Sequence, residues 1–284
     1  MTLNPDGSVV VHTSIFEPGT GTYTVLRQIV AEELQLPLSS VQVQVWDTDE
    51  VDFDTGVGGS RVTRVAGQAA YRAAQGASRE LLSMAADLLG WPEERMALRG
   101  VEVIRQDTGE SRSWAELLQR WGRPITGRWS VQDPNPSPVT SFTAQVAEVS
   151  VDPETGEVKL LRFTTAHDVG KVLNPMDHQG QIEGAVVQGI GYALTEELQV
   201  EEGRVVNVSF GEYKIPGIED IPRLETIVLE SESGPGPYNA KGIGENPVGP
   251  VAPAIANAVA DAAGVRIKDL PITAEKVYQA LSGT

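Results

Sequence analysis

Residues 9–24 read VVVHTSIFEPGTGTYT, and this stretch decides how the amino-terminal part of the chain folds. The β-branched run Val9–Thr13 predicts a strand, and Gly19–Gly21 supplies the flexible backbone of a tight loop. Apolar residues then recur at the spacing of an α-helix from Thr24 to Leu34. The stretch therefore predicts a strand, a glycine loop and a helix in immediate succession.

The same order of elements follows a second time along the chain. Strict alternation of apolar and polar residues over Val41–Val45 predicts a half-buried strand. An acidic segment then leads into a second glycine loop, Gly56–Arg61, and the alanine-rich spacing that follows predicts a long helix over Val62–Leu89.

A proline-rich segment separates two predicted lobes. Before it, Met96–Ile104 predicts a strand, and Trp114–Trp121 predicts a short helix capped by the serine that precedes it. Asp133–Pro138 is incompatible with regular structure because closely spaced prolines remove backbone donors and restrict their neighbours. We therefore expect a first lobe over residues 1–132 and a second over residues 133–284.

The second lobe combines a hairpin with helices. Phe142–Val151 and Val158–Thr165 flank a turn rich in proline and glycine and predict two antiparallel strands. Apolar residues from Ile182 to Leu194, the alanine-rich Val251–Ala263 and a terminal segment capped by Thr273 predict helices. Because strands and helices mix without a βαβ alternation, the predicted fold class is α+β, with two lobes of mixed, largely antiparallel sheet and packed helices.

Composition excludes several classes of function. The chain has 284 residues, 40% of them hydrophobic, and a formal net charge of −17 with scattered basic residues, which argues against nucleic-acid binding. The sequence contains no cysteine, so disulfides, cysteine-ligated clusters and thiol nucleophiles are excluded. It contains only three histidines. No apolar run has membrane-spanning length and no export signal is visible, so we expect no membrane contact and a cytoplasmic location, or a periplasmic one if a partner carries the signal.

The segment Pro237–Pro247 sets one carboxylate on a glycine-rich loop. Gly242 and Gly244 precede Glu245 and allow close backbone approach or positive φ, and Pro247 disfavours helix at the residue before it. The spacing indicates a carboxylate held in place for a chemical task. A solvated surface glutamate is the simpler interpretation of such a loop by itself.

Two glycine loops and a pair of glutamines are further candidate ligand sites. Gly19–Thr24 and Gly58–Thr63 each precede a helix, where amide N–H groups and the helix dipole attract anions, and two such starts favour a phosphorylated or oxyanion-rich ligand. Ordinary helix capping, with Arg61 as a solvated charge, is the alternative. Gln181 and Gln188 lie two helical turns apart, and an amide suits the edge of a heterocycle or an oxo ligand, although helical glutamines are more often solvated.

Taken in order, these segments resemble the large, molybdenum-binding subunit of the xanthine dehydrogenase and aldehyde oxidase family. Glu17–Thr24 resembles the family's EMGQG loop, and Gly59–Thr63 resembles its second cofactor loop. The remaining matching segments are Asp168–Pro175, Gly180–Glu197, Gly211–Pro222 and Lys241–Pro247. The resemblance covers nearly the whole chain, but only the carboxy-terminal half of the usual large subunit.

The resemblance implies a bound molybdenum–molybdopterin cofactor, which in bacterial members is usually the cytosine dinucleotide form. Its metal takes its ligands from the cofactor and from non-protein groups, so no protein residue is expected to ligate the metal. Glu245 resembles the general base of the family's hydroxylation, a role favoured by partial desolvation, and Gln181 resembles a family glutamine beside the reacting centre. The residues implied in cofactor binding are Gly19, Thr20, Gly21, Gly59, Ser60, Arg61, Val62, Thr63, Gln181 and Gly244.

Two departures from the family pattern concern these loops. Thr20 stands where the family usually has glutamine, so one pterin contact is expected to be shortened or replaced by water. Asn246 replaces the proline that commonly follows the glutamate, although Pro247 remains. Neither departure removes the expected base.

The resemblance also implies partners and leaves alternatives open. A chain supplying the amino-terminal half of the large subunit, an iron–sulfur subunit and an FAD subunit are expected, with a small-molecule substrate. The expected activity is oxidative hydroxylation of an aldehyde or N-heterocycle with oxygen from water. The alternatives are a truncated copy that binds molybdopterin or has a structural role without catalysis, and a fragment of a carbon monoxide dehydrogenase-type large subunit.

Overall fold

The computed structural model describes residues 1–51, 53–131 and 141–283. The chain forms two compact units. Unit 1 comprises Met1–Val139, Lys171–Asn174 and Glu232–Gly242, and unit 2 comprises Thr140–Gly170, Pro175–Ser231 and Ile243–Thr284. The boundary expected at residues 133–138 lies outside the described residues, so the division into lobes 1–132 and 133–284 stays a prediction.

Unit 1 contains two sheets and three α-helices among its described residues. Its elements are β1 (Thr2–Leu3), β2 (Val9–Thr13), α1 (Thr22–Leu34), β3 (Val41–Val45), α2 (Val62–Leu89), β4 (Met96–Arg99), β5 (Glu102–Arg105), β6 (Ser111–Ser113), α3 (Trp114–Trp121) and β7 (Ile125–Thr126). One sheet has the order β3-β2-β1-β7, with β2 and β3 parallel and the other pairs antiparallel. The other is the antiparallel meander β4-β5-β6.

Most elements predicted for unit 1 are confirmed, and two details are wrong. The predicted strand Met96–Ile104 is a hairpin, because Gly100 adopts φ 58° and reverses the chain between β4 and β5. Ser113 does occupy the N-cap position of α3, but its side chain makes no capping hydrogen bond there.

The core of unit 1 lies between the sheets and helices α1, α2 and α3. Small residues on the buried face of α2, such as Ala74 and Ala77, let that helix approach its neighbours closely, and both are fully buried. Trp114 of α3 contributes the largest side chain of this cluster, and Leu117 and Leu118 of the same helix are buried with it. The alanine-rich composition of α2 thus serves packing as well as helix propensity.

Unit 2 contains a three-stranded sheet, a short hairpin and three helices among its described residues. Its elements are β8 (Thr143–Val151), β9 (Val158–Gly170), α4 (Pro175–Leu194), β10 (Val200–Glu201), β11 (Arg204–Val205), β12 (Arg223–Glu230), α5 (Val251–Ala263) and α6 (Ala274–Ser282). The sheet order is β12-β9-β8, with β8 and β9 antiparallel and β12 parallel to β9. The mixed α+β fold class with largely antiparallel pairing is confirmed.

The core of unit 2 is apolar and is formed by the sheet with α4, α5 and α6. Phe163 of β9, Ile190 of α4 and Val251 and Ile255 of α5 are buried together. The predicted cap of α6 is confirmed, because the Thr273 side chain accepts a hydrogen bond from the Lys276 amide. In the described part of the chain, no helix is long and apolar enough to cross a membrane.

Two glycines of α4 should respond in opposite directions to the same substitution. A Cβ at Gly189 would lie 2.5 Å from Cβ of Val251 in α5, whereas a Cβ at Gly184 would meet nothing within 4 Å. Gly184→Ala should therefore raise the free energy of unfolding by about 0.5–1 kcal/mol, and Gly189→Ala should lower it by about 1–3 kcal/mol through overpacking. Urea unfolding of the two full-length variants measures both, and equal effects would contradict the close packing of α4 on α5.

Candidate functional site

The first glycine loop is built around the carboxylate of Glu17. Its Oε1 accepts hydrogen bonds from the amides of Gly19 (2.8 Å), Thr20 (2.7 Å) and Gly21 (3.2 Å), and its Oε2 accepts one from Tyr23 (3.1 Å). Such an arrangement of amides is a ready-made anion site at the start of α1. This site is filled by the chain's own Glu17 carboxylate.

This geometry changes what the first loop can offer a ligand. The amides predicted to bind an external anion donate instead to Glu17. The Thr20 hydroxyl lies 3.0 Å from the hydroxyl of Thr22. Gly19 and Gly21 adopt φ of 98° and 77°, which only glycine tolerates readily, so the turn depends on both. The loop presents a preformed, exposed backbone surface, and a Cβ at Gly19 would meet no atom within 4 Å.

In the second loop, Arg61 connects the two ends of the loop through an ion pair and a hydrogen bond. Its Nη1 donates to Oδ1 of Asp54 at 2.6 Å and to the carbonyl of Gly56 at 2.8 Å. Gly59 and Ser60 follow with φ of 79° and 52°, and Ser60 is one of the few non-glycine residues in the left-handed region. Arg61 therefore shapes the backbone on which Val62 and Thr63 begin α2.

The segment Glu232–Gly242 packs beside this second loop within unit 1. A Cβ at Gly242 would lie 2.0 Å from the carbonyl oxygen of Ser60, and the φ of Gly242 is not in the left-handed region. Close backbone approach is thus the reason for glycine at this position. The neighbouring Lys241 is only 7% exposed, which is unusual for a lysine.

Tyr238 anchors the same segment to α1. Its hydroxyl donates to Oε1 of Glu33 at 2.7 Å, and its ring contacts Tyr71 edge-on with centroids 5.5 Å apart. Burial and then the neighbouring Glu33 carboxylate raise the pKa of the Tyr238 phenol, so the hydroxyl stays protonated and keeps donating. The residue itself adopts φ 54°, a strained conformation that such anchoring can hold in place.

Glu245 lies on an exposed turn of unit 2. The amide of Val248 donates to the carbonyl of Glu245 at 3.3 Å, and Nε2 of Gln145 donates to the carbonyl of Pro247 at 2.8 Å. The side chain of Glu245 is exposed, as is Gly244.

The two glutamines predicted on one helical face both lie on α4. Gln181 is half-buried near the start of the helix, whereas Gln188 is exposed and donates to the hydroxyl of Tyr192 one turn later. Gln181 thus has the more enclosed setting of the two, and its amide remains a candidate for ligand binding.

A buried polar cluster lies on the inner face of the sheet in unit 2. His167 is fully buried, with Nδ1 3.1 Å from the hydroxyl of Thr143 and Nε2 2.6 Å from that of Thr165. Burial, and secondarily the nearby His178, lower the pKa of His167 to about 4. His167 is therefore neutral at physiological pH and serves as a hydrogen-bonding core residue.

The lowered pKa of His167 predicts a loss of stability in mild acid. An unfolded histidine titrates near its ordinary value of 6.5, so between pH 6.5 and about 4 the unfolded state binds more protons and is stabilised relative to the folded state. The free energy of unfolding should be unaffected by this residue above pH 6.5 and fall by on the order of 3 kcal/mol as the pH drops to 4. Thermal unfolding measured over this range should show a shallower decline for His167→Gln, and parallel curves would contradict the assignment.

The residues predicted to form a site fall into two local groups. Unit 1 holds the two glycine loops, with Ser60 beside Gly242. Unit 2 holds Gln181, Gly244 and Glu245. Glu17 was not among the residues predicted to form the site, although a carboxylate two residues before the first glycine of such a loop is the signal that could have identified it.

Comparisons with known proteins show which family this chain is similar to. The molybdopterin cofactor-binding domain family matches residues 1–222. The gamma subunit of the 6-hydroxypseudooxynicotine dehydrogenase complex of Paenarthrobacter nicotinovorans is 33% identical over 290 residues, covering 98% of this chain and 36% of the relative. The xanthine dehydrogenase molybdenum-binding subunit of Escherichia coli O157:H7 is 32% identical over 288 residues, covering 98% of this chain and 38% of the relative.

A solved crystal structure has a similar fold. The crystal structure of quinoline 2-oxidoreductase from Pseudomonas putida 86 superposes with a TM-score of 0.87 at 28% sequence identity, covering 99% of this chain and 37% of the other. The chain thus spans 36% to 38% of the length of these three proteins. The resemblance noted in the sequence is confirmed, and because the family match extends over residues 1–222, the chain belongs to the molybdopterin cofactor-binding domain family.

Proposed function

We propose that the chain is the molybdopterin-binding portion of a molybdenum hydroxylase, with Glu245 as its general base. The observation that carries this proposal is the setting of Glu245, an exposed carboxylate on a turn whose backbone is tied to the sheet of unit 2 through Gln145. A base of this kind must reach its proton in a fixed geometry. The expected reaction is oxidative hydroxylation of an aldehyde or N-heterocycle.

The loops of unit 1 fit a large cofactor. Positions Gly19, Gly58 and Gly59 have open space where a Cβ would lie, so an extended group can approach the backbone at both loops. Glu17 and Arg61 preform those loops through the bonds to backbone amides and to Asp54. The residues that would hold the cofactor are Gly19, Thr20, Gly21, Gly59, Ser60, Arg61, Val62 and Thr63 in unit 1, and Gln181 and Gly244 in unit 2.

The chemistry divides between the cofactor and the chain. The cofactor, when bound, supplies the redox centre that takes electrons from the substrate. Glu245 would accept a proton at its carboxylate from the oxygen nucleophile that derives from water, and Gln181 would orient polar groups beside it through its amide. Thr20, with a shorter side chain than the glutamine of the family pattern, would leave room for a water at the pterin.

The cytosine dinucleotide form and the partners belong to the same proposal. The second loop at the start of α2 would take the phosphate part of the dinucleotide, with Ser60 and Thr63 as its hydroxyl-bearing residues. Because the chain spans 36% to 38% of its relatives' length, we propose that a further polypeptide segment completes the active site. Iron–sulfur and FAD chains would carry the electrons away.

Cofactor analysis tests this function directly. The chain should be purified alone and together with the polypeptides encoded beside it, and molybdenum, pterin and acid-released nucleotide should be measured in both samples. We expect equimolar molybdenum and pterin, with cytidine monophosphate as the released nucleotide, in the complex. Absence of metal and pterin from both samples would instead support a structural role without catalysis.

A further inference from the structure

One face of the β8–β9 hairpin carries a buried polar stretch between apolar residues. Leu160 and Phe163 of β9 belong to the apolar core, whereas Thr165 and His167, further along the same face, are equally buried but polar. The partner strand follows the same change, because Gln145 pairs with Thr165 and Thr143 pairs with His167 in the register. A row of four polar side chains thus replaces hydrophobic packing there.

These side chains form a continuous chain of hydrogen bonds that ends on the turn carrying Glu245. The Thr165 hydroxyl lies 2.6 Å from Nε2 of His167 and accepts a bond from Nε2 of Gln145 at 3.0 Å. The same Gln145 nitrogen donates to the carbonyl of Pro247 at 2.8 Å. Since an amide nitrogen carries two N–H groups, both donors of Gln145 are used and its orientation is set by the sheet on one side and the turn on the other.

The amide of Gln145 is not explained by stability alone. Its Oε1 is buried without a hydrogen-bond partner among the described residues, which costs stability that an apolar side chain of the same shape would avoid. The bond to Pro247 is also shorter than the 3.3 Å bond within the turn, from Val248 to Glu245. The bond from Gln145 is therefore the shorter of these two hydrogen bonds of the turn.

We propose that Gln145 is a positioning residue that fixes the Glu245 turn to the sheet, and that Thr165 and His167 orient its amide. The proposal rests on the proposed function of Glu245 as the base. Loss of the Gln145 donors would leave the carboxylate chemically unchanged but would remove one tie between its turn and the sheet, so its position would be less well fixed.

Hydrogen exchange on the full chain tests the anchoring without any cofactor. Gln145→Met keeps an unbranched side chain of similar length and removes both N–H donors. Peptides covering residues 243–250 should exchange roughly tenfold faster in this variant, the loss equivalent to one hydrogen bond, while peptides from the β8–β9 hairpin stay unchanged. Thr165→Val removes the hydroxyl that accepts from Gln145 and contacts Nε2 of His167, but it leaves both Gln145 donors in place. It should give a smaller increase in the same peptides.

Kinetics of the assembled enzyme separate positioning from general structure. Gln145→Met should lower kcat by about tenfold to a hundredfold, with KM and molybdenum content within about twofold of the unmodified enzyme, because misplacement of a reacting group acts on the chemical step. Should Gln145→Met fail to fold, Thr165→Val decides by the same two measurements. Unchanged exchange and unchanged kcat in a folded variant would overturn the proposal.

A third variant distinguishes this proposal from the function on which it rests. If Glu245→Gln abolishes turnover and Gln145→Met does not alter it, the base assignment stands and the positioning role fails. If Glu245→Gln leaves turnover intact, the base assignment fails, and the positioning role falls with it whatever the exchange rates show.

Discussion

Replacing Glu245 by glutamine is expected to lower turnover of the assembled enzyme by roughly 10²- to 10⁴-fold, the contribution typical of general base catalysis. Glutamine keeps the size and the hydrogen-bonding capacity of the side chain but does not accept a proton. Because the residue is exposed on a turn held through Pro247, the substitution should disturb neither folding nor cofactor retention. Steady-state turnover and molybdenum content, measured on the same preparation, give the result.

Glu154→Gln is the matched control for this experiment. Glu154 is an exposed glutamate on the turn of unit 2 between β8 and β9. The variant changes the net charge by the same amount as Glu245→Gln, at a position far along the chain from the Pro247 turn. It should leave turnover unchanged. Equal turnover of both variants and the unmodified enzyme would show that Glu245 is not the base, and equal loss in both would show an effect of net charge.

Replacing Gly242 by alanine is expected to cost the assembled enzyme most of its cofactor. The new Cβ would lie 2.0 Å from the carbonyl oxygen and 2.8 Å from the Cβ of Ser60, so the backbone of the second loop must move. Overpacking of this kind costs about 1–3 kcal/mol, and a coupling of that size corresponds to roughly 5- to 150-fold in a binding constant. Molybdenum and pterin per protein, determined after dialysis, should fall accordingly.

Gly249→Ala provides the control, at a glycine seven residues after Gly242. A Cβ at Gly249 would meet no atom within 4 Å, and its φ is not in the left-handed region. That variant should retain its cofactor. Full retention in Gly242→Ala as well would mean that the second loop does not hold the cofactor, even if the variant is less stable.

Local sequence patterns predicted the regular elements well where the pattern was long. The helix over Val62–Leu89 and the helix over Val251–Ala263 have the predicted bounds, because sustained helical spacing and alanine-rich composition act in the same direction. The strand expected over Met96–Ile104 was wrong because one residue, Gly100, reversed the chain. The periodicity of apolar residues over a short segment does not reveal that one glycine within it adopts a left-handed conformation.

The sequence predicted the segments of the candidate site but not the hydrogen bonds and ion pairs within them. The glycine loops stood out in the sequence, but a carboxylate filling the first loop and an ion pair closing the second depend on side-chain rotamers. An amide nest attracts any anion, and the anion with the highest effective concentration is the one attached to the same chain, Glu17. Anion-binding potential read from sequence therefore does not identify the anion.

The sequence by itself determined the family, the order of the elements and the position of Glu245 after its two glycines, because these are local in the chain. Only the tertiary structure brought Gly242 against Ser60, 182 positions earlier, and Gln145 to the carbonyl of Pro247, 102 positions later. It also placed Glu232–Gly242 in unit 1, far along the chain from most of that unit. Such contacts form only when distant segments are held together by a common core, and local propensity carries no information about which segments meet.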